Sequence, residues 1–242
     1  MKFILKKFLI FTIYFTITIV NSQQIKVACI GDSITFGAAI HDRAKNSYPA
    51  QLEKMLGKNY IVKNFGINGT TLLKKGDYSY WQRPVFKEAQ NFKPNIVIIK
   101  LGTNDTKINN WRYKDEFIND YVEMIKIFQY LSPKTQVYIC YPVPVYKTIW
   151  TINDATITNE IIPKMNIIAQ KTNAQIIDLH NALNNKESLF PDKIHPNKEG
   201  AKIIAQTIIT AIQQANIKNK FSTLYKKMQN IIKFLRETLK LL

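Results

Sequence analysis

The stretch Ile25-Lys26-Val27-Ala28-Cys29-Ile30-Gly31-Asp32-Ser33-Ile34-Thr35-Phe36-Gly37 decides the fold. Its first six residues form a short, nearly unbroken apolar run without helical spacing, which predicts a strand buried on both faces. The glycines that follow are six apart, so the G-x-G-x-x-G dinucleotide loop is excluded. Thr35 stands where a G-x-S-x-G elbow has its second glycine, which excludes that motif as well. What remains is a serine in a tight strand-to-helix turn. Its hydroxyl sits at the sheet edge beside backbone N–H groups, either as a nucleophile or simply as a helix cap.

Downstream the same alternation repeats. Ser47 to Leu56 is predicted helical, with Gly57 just past its end, and Tyr60 to Asn64 is a second strand. A helix over Trp81 to Asn91 turns at Lys93-Pro94-Asn95 into Ile96 to Leu101, a strongly β-branched strand. Asp115 to Leu131 is a helix stopped by Ser132-Pro133, and Gln136 to Cys140 is the fourth strand. Glu160 to Thr172 is helical with Pro163 in its first turn, and Gln175 to Leu179 is the fifth strand. Asn197 to Ala215 closes the pattern as a helix whose Ala201, Ile204, Ala205, Ile208, Ile212 and Ala215 share a face. Apolar strands alternating with helices predict an α/β domain, a parallel sheet covered on both faces, with its site in the loops after the strand carboxyl ends.

Composition sets the outer limits. The 242 residues are 46% apolar, which suffices for one sizeable core and excludes a disordered chain. Two cysteines, Cys29 and Cys140, exclude a disulfide scaffold. Met1 to Ser22 reads as a signal peptide: Lys2, Lys6 and Lys7 precede an apolar run, Phe8 to Val20, too short to span a bilayer. The other reading of this segment is an uncleaved anchor. Cleavage after Ser22 removes three lysines and no acids from the +17 total, leaving +14 on residues 23–242 and implying export, periplasmic or extracellular. Residues 23–216 then form the domain and residues 217–242 a basic amphipathic helix. Its apolar residues, among them Phe221, Leu224, Met228, Ile231 and Leu235, recur at steps of three and four within a segment of local charge +6. Such a helix suits an anionic membrane surface, or packing on the domain or a neighbour.

The chemistry sits in the predicted loops. A base for Ser33 is offered by Pro191-Asp192-Lys193-Ile194-His195-Pro196-Asn197. Asp192 and His195 are three apart, so in a turn the carboxylate can orient one ring nitrogen and aim the other at Ser33. Pro196 keeps His195 out of helical geometry. Asp178 with His180 is a competing dyad. Oxyanion donors are available in two loops, the glycine-bearing Asn64 to Thr71 and Gly102-Thr103-Asn104-Asp105.

Taken together, these segments resemble the SGNH hydrolases, also called GDSL esterases, from about Ile25 to Ala215. Gly31-Asp32-Ser33-Ile34 matches the first family block, with Ile in place of Leu. Gly69, between Asn68 and Thr70, matches the oxyanion glycine, and Gly66 does not. Gly102-Thr103-Asn104-Asp105 and Asp192-Lys193-Ile194-His195-Pro196 match the later blocks. The resemblance implies a flavodoxin-like three-layer α/β/α sandwich with a five-stranded parallel sheet in the order 2-1-3-4-5. It implies Ser33 as nucleophile, His195 as base, Asp192 orienting it, and an oxyanion hole from Ser33, Gly69 and Asn104. It requires no cofactor and no metal, and His41, His180 and His195 are too scattered to suggest one.

The substrate-binding candidates are Asp32, Tyr80, Trp81, Tyr146 and Trp150, since aromatic faces beside polar groups suit the C–H faces of a sugar. At least half of these rings are expected only to pack their loops. The loops also look like those of secreted carbohydrate O-acetylesterases, including the sialate type, so the reading is removal of acetyl from a glycan. A short-chain carboxylesterase, acyl-thioesterase or lysophospholipase-type acyl hydrolase would share the same catalytic residues. A non-catalytic basic binding protein is the remaining class. The lysines are dispersed and no nucleic-acid motif occurs, so no nucleic-acid partner is expected. The sequence assigns no oligomeric state. Cys29 and Cys140 lie on strands that are not neighbours in the implied order, so both are expected as free thiols.

Overall fold

A computed structural model describes residues 24–132 and 134–239. The expected signal segment, residues 1–22, lies outside the described residues. The strands are β1 (Ile25–Gly31), β2 (Tyr60–Gly66), β3 (Ile96–Lys100), β4 (Gln136–Cys140) and β5 (Gln175–Ile177). They form one sheet in the order β2-β1-β3-β4-β5, and every pairing is parallel.

Strand residues alternate between the two sheet faces, and each face has its own core. Ala28, Ile30, Val97, Ile99, Val137 and Ile139 point to one side, and Val27, Cys29, Ile96, Ile98, Tyr138 and Cys140 to the other. The first side is covered by the helices Pro84–Asn91, Phe117–Leu131 and Ile162–Thr172, through Phe86, Tyr121, Phe128 and Ile168. Leu52 of the helix Tyr48–Leu56, with Ala201, Ile204 and Ile208 of the helix Lys198–Leu239, covers the second. This three-layer α/β/α arrangement is the one expected.

Where element ends differ from expectation, local chemistry explains it. Strand β5 stops at Ile177 because Asp178 turns to cap a short helix, Leu179–Ala182, accepting from the Asn181 N–H. The predicted helix over Trp81 to Asn91 is instead a 3₁₀ turn, Tyr80–Gln82, then a helix opening on Pro84, whose missing N–H is harmless at a first turn. At the carboxyl end the expected pair of helices is a single one, Lys198–Leu239, because no glycine or proline falls between Ala201 and Leu239. Ala215 is still covered, but Ile217, Phe221, Leu224, Tyr225, Met228 and Ile231 are exposed, so this part does not pack back on the domain. No helix among the described residues is long and apolar enough to cross a membrane.

Candidate active site

Ser33 is the first residue of a four-residue helix, Ser33–Phe36, that starts where β1 ends. Asp32 caps it, its carboxylate accepting from the Ile34 N–H at 2.9 Å. The turn is tight enough that Gly31 is obligatory: a Cβ there would sit 2.1 Å from Thr35 Oγ1 and 2.6 Å from the Lys100 carbonyl. The serine hydroxyl is thereby fixed at the carboxyl edge of the sheet.

His195 arrives from the turn before the terminal helix, and the turn is tied by one carboxylate. Asp192 Oδ1 accepts from the Ile194 N–H at 3.0 Å and the His195 N–H at 2.6 Å, while Oδ2 lies 2.6 Å from His195 Nδ1. Burial alone would raise the Asp192 pKa, but these bonds outweigh it and hold the carboxyl below its ordinary value. An ionised carboxylate only accepts, so Nδ1 carries the ring proton and Nε2 presents a lone pair. That Nε2 lies 2.7 Å from Ser33 Oγ. The structure thus brings Ser33 and the neighbouring pair Asp192 and His195, far apart in sequence, into one hydrogen-bonded chain.

The competing pair does not form. Asp178 is spent on its cap, and His180 Nε2 instead meets Asp154 Oδ1 at 3.1 Å. Among the described residues no cluster of three His, Cys, Asp or Glu side chains could hold a metal ion.

Gly69 and Asn104 face the same cleft, of about 270 Å³, as Ser33 and His195. Gly69 has φ +77°, the left-handed region glycine enters without strain, and a Cβ there would meet nothing within 4 Å. The Asn104 amide donates to the Thr70 carbonyl at 3.1 Å, which ties the two loops together. Asp105 makes the tie rigid. Fully buried, it accepts from the N–H groups of Leu72 at 3.0 Å and Leu73 at 2.8 Å. Burial pushes its carboxyl up to about 7, with those two bonds opposing the rise.

The substrate-facing candidates need correction. Asp32 is fully buried beneath the cleft, paired with Lys100 Nζ at 3.0 Å. Tyr80 is a core residue whose hydroxyl donates to the Phe65 carbonyl at 2.6 Å. Trp81 donates to the Leu72 carbonyl at 2.8 Å and packs edge-on against Phe86. Tyr146 donates to the Leu183 carbonyl and packs edge-on against Phe190. Each ring found an apolar wall and a backbone acceptor on the protein side of its loop. Trp150 alone of the five lines the cleft, 68% exposed.

Sequence reading missed Lys100. It is fully buried at the end of β3, opposite Gly31 on β1, and its Nζ also donates to Thr103 Oγ1 at 2.8 Å. Burial pulls the Lys100 ammonium below its ordinary pKa, with Asp32 opposing. A lysine ending the β-branched run Ile96-Val97-Ile98-Ile99-Lys100 was the available signal, since a charge in such a strand requires a partner. Asn68 and Lys107, which also line the cleft, carried no comparable signal.

Residues 29–203 match the GDSL-like Lipase/Acylhydrolase family, and the chain belongs to this family of carboxylic ester hydrolases. Some of the proteins it resembles are named as carbohydrate esterases, and others as aryl esterases. An acetylxylan esterase from Xylanibacter ruminicola is 45% identical, over 80% of this chain and 44% of that protein, so the chain spans less than half of the relative's length. A carbohydrate acetylesterase from Sinorhizobium meliloti superposes with a TM-score of 0.65 at 18% identity, covering 80% of this chain and 100% of that one. For an acetyl xylan esterase the values are 0.60 and 22%, with 78% and 100% covered. At these identities the two structures show a common fold.

Proposed function

We propose that the chain is a serine esterase that removes O-acetyl groups from a glycan, with acetylated xylan the first substrate to try. The observation that carries the reading is the 2.7 Å contact between Ser33 Oγ and His195 Nε2, with Asp192 behind it. Ser33 Oγ attacks the acetyl carbonyl as His195 Nε2 takes the hydroxyl proton, and Asp192 stabilises the resulting imidazolium. The oxyanion is received by the Ser33 and Gly69 N–H groups and by the Asn104 amide, which has a second hydrogen beyond the one given to Thr70. Collapse returns the proton from His195 to the sugar oxygen and leaves acetyl on Ser33. Water, deprotonated by the same imidazole, then releases acetate. The name of the Xylanibacter relative supports a xylan substrate, and the small cleft supports a short acyl group.

The test is acetate release from acetylated xylo-oligosaccharides, O-acetylated sialic acid and 4-nitrophenyl octanoate, with Ser33→Ala as blank. Wild type should prefer acetyl esters of sugars. Ser33→Ala should be inactive and His195→Ala nearly so; retention of more than about a tenth of wild-type activity in either variant rules the assignment out. A preference for octanoate would favour the general acyl-hydrolase reading.

The first 22 residues lead us to propose export as well. Mass spectrometry of secreted protein should find an amino terminus after Ser22, and an intact Met1 in the cytoplasm would overturn this. Beyond Asn216 the exposed apolar stripe and the net +6 of residues 216–242 favour an anionic lipid surface, because like charge opposes pairing of two copies. Co-sedimentation with phosphatidylglycerol vesicles, lost on deleting residues 217–242, is expected. Absence of binding, or a dimer abolished by the same deletion, would refute it.

A further inference from the structure

Of the three tryptophans, Trp81 and Trp111 are built into the core cluster beside β1 and β3, whereas Trp150 is displayed at the cleft. The backbone that displays it is unusual. Trp150 and Thr151 have φ of +51° and +62°, and Ile149 and Ile152 bond each other across them, Ile152 N–H to Ile149 O at 2.9 Å and Ile149 N–H to Ile152 O at 3.3 Å. This is a two-residue reversal with both central residues left-handed, the geometry that normally selects Asn-Gly. Here it holds a bulky aromatic and a β-branched residue, which persists only where the surroundings over-determine it.

They do so from two sides. Thr151 Oγ1 accepts from the Ile108 N–H at 3.2 Å, and the Asn153 N–H donates to Thr106 Oγ1 at 3.3 Å, fastening the turn to the segment that follows Asn104. Ile152 is buried in a small cluster with Val145, Ile157 and Ile194, and Ile194 immediately precedes His195. The turn is therefore braced against both the oxyanion loop and the base. Polar Asn68 and Lys107 line the same cleft as the indole.

We infer that Trp150 is the platform of a sugar subsite: the pyranose ring that carries, or adjoins, the scissile acetyl stacks on the indole while Asn68 and Lys107 meet its hydroxyls. An apolar face beside hydroxyl-binding groups matches a saccharide, which presents a C–H face ringed by hydroxyls, and not an alkyl chain, which presents no polar edge. The inference rests on the esterase reading and adds the sugar ring to it.

The test compares wild type, Trp150→Ala and Trp150→Tyr on acetylated xylotetraose and on 4-nitrophenyl acetate. Trp150→Ala should lower kcat/KM for the oligosaccharide at least tenfold more than for the nitrophenyl ester, about 1.4 kcal/mol of selective binding. The loss should fall in KM, and Trp150→Tyr should recover most of it. An equal loss on both substrates, or a tyrosine variant no better than alanine, would overturn the subsite. Calorimetric titration of unacetylated xylotetraose into Ser33→Ala, with and without Trp150→Ala, separates the two claims. Binding that weakens tenfold or more on removing the indole supports the subsite even if no acetate is released from any sugar; binding that is absent or unchanged sinks it.

Discussion

Asp192 uses both carboxylate oxygens on a single histidine, accepting from its backbone and from its ring. Replacing it with asparagine puts an amide that also donates where only an acceptor belongs, so Nδ1 loses its proton preference and the ring presents the wrong tautomer. Asp192→Asn should therefore lower kcat by about 10³–10⁴ with KM little changed. Asn104→Ala, which removes one of the proposed oxyanion donors, should cost about 10²–10³ in kcat. Steady-state kinetics on 4-nitrophenyl acetate measure both. At this scale the triad was legible because Asp192 and His195 are three apart in one turn and Ser33 sits in the tight turn after β1. The aromatic candidates were not, since composition places Tyr80, Trp81 and Tyr146 in loops but does not say which way a ring turns. A core wall and a carbonyl acceptor decided that for all three.

Between elements, buried ionisable side chains hold the loops in register. The carboxylate of Asp105 is raised to about 7 by burial, above its unfolded value near 3.8, so the protonated form is favoured in the folded chain. Its contribution to stability is fully present below pH of about 4 and is lost as pH rises through about 7. The gap in unfolding free energy between wild type and Asp105→Asn should therefore narrow steadily from pH 4 to pH 7, as read by urea denaturation. Lys100 and Asp32 form a buried pair beneath the nucleophile turn. Lys100→Met strands the Asp32 charge and should cost about 3–5 kcal/mol, while Lys100→Met with Asp32→Asn should cost clearly less than the sum of the two single changes. The strands themselves were readable as apolar runs. Their ends were not, because β5 is cut short by a cap that competes for Asp178, and the helix before β3 is divided by Pro84.

On the scale of the whole molecule, the cover on both faces followed from the alternation of strands and helices and the sheet order from the family resemblance, yet nothing in that pattern said that the last helix would continue without a break past Ala215. Because its residues from Ile217 to Ile231 that are apolar lie exposed, deleting residues 217–242 should change the unfolding free energy by no more than about 0.5 kcal/mol and leave esterase activity intact. The two cysteines lie in the middle of the molecule. Cys29 and Cys140 are fully covered on β1 and β4 with β3 between them, and burial pushes both thiols up, Cys140 to about 12. A thiolate is the reactive form, so neither sulfur reacts with an alkylating reagent until the central sheet opens. The pair is thus an internal clock: the rate at which iodoacetamide is taken up in native buffer counts excursions of the core itself and ignores fraying at the rim.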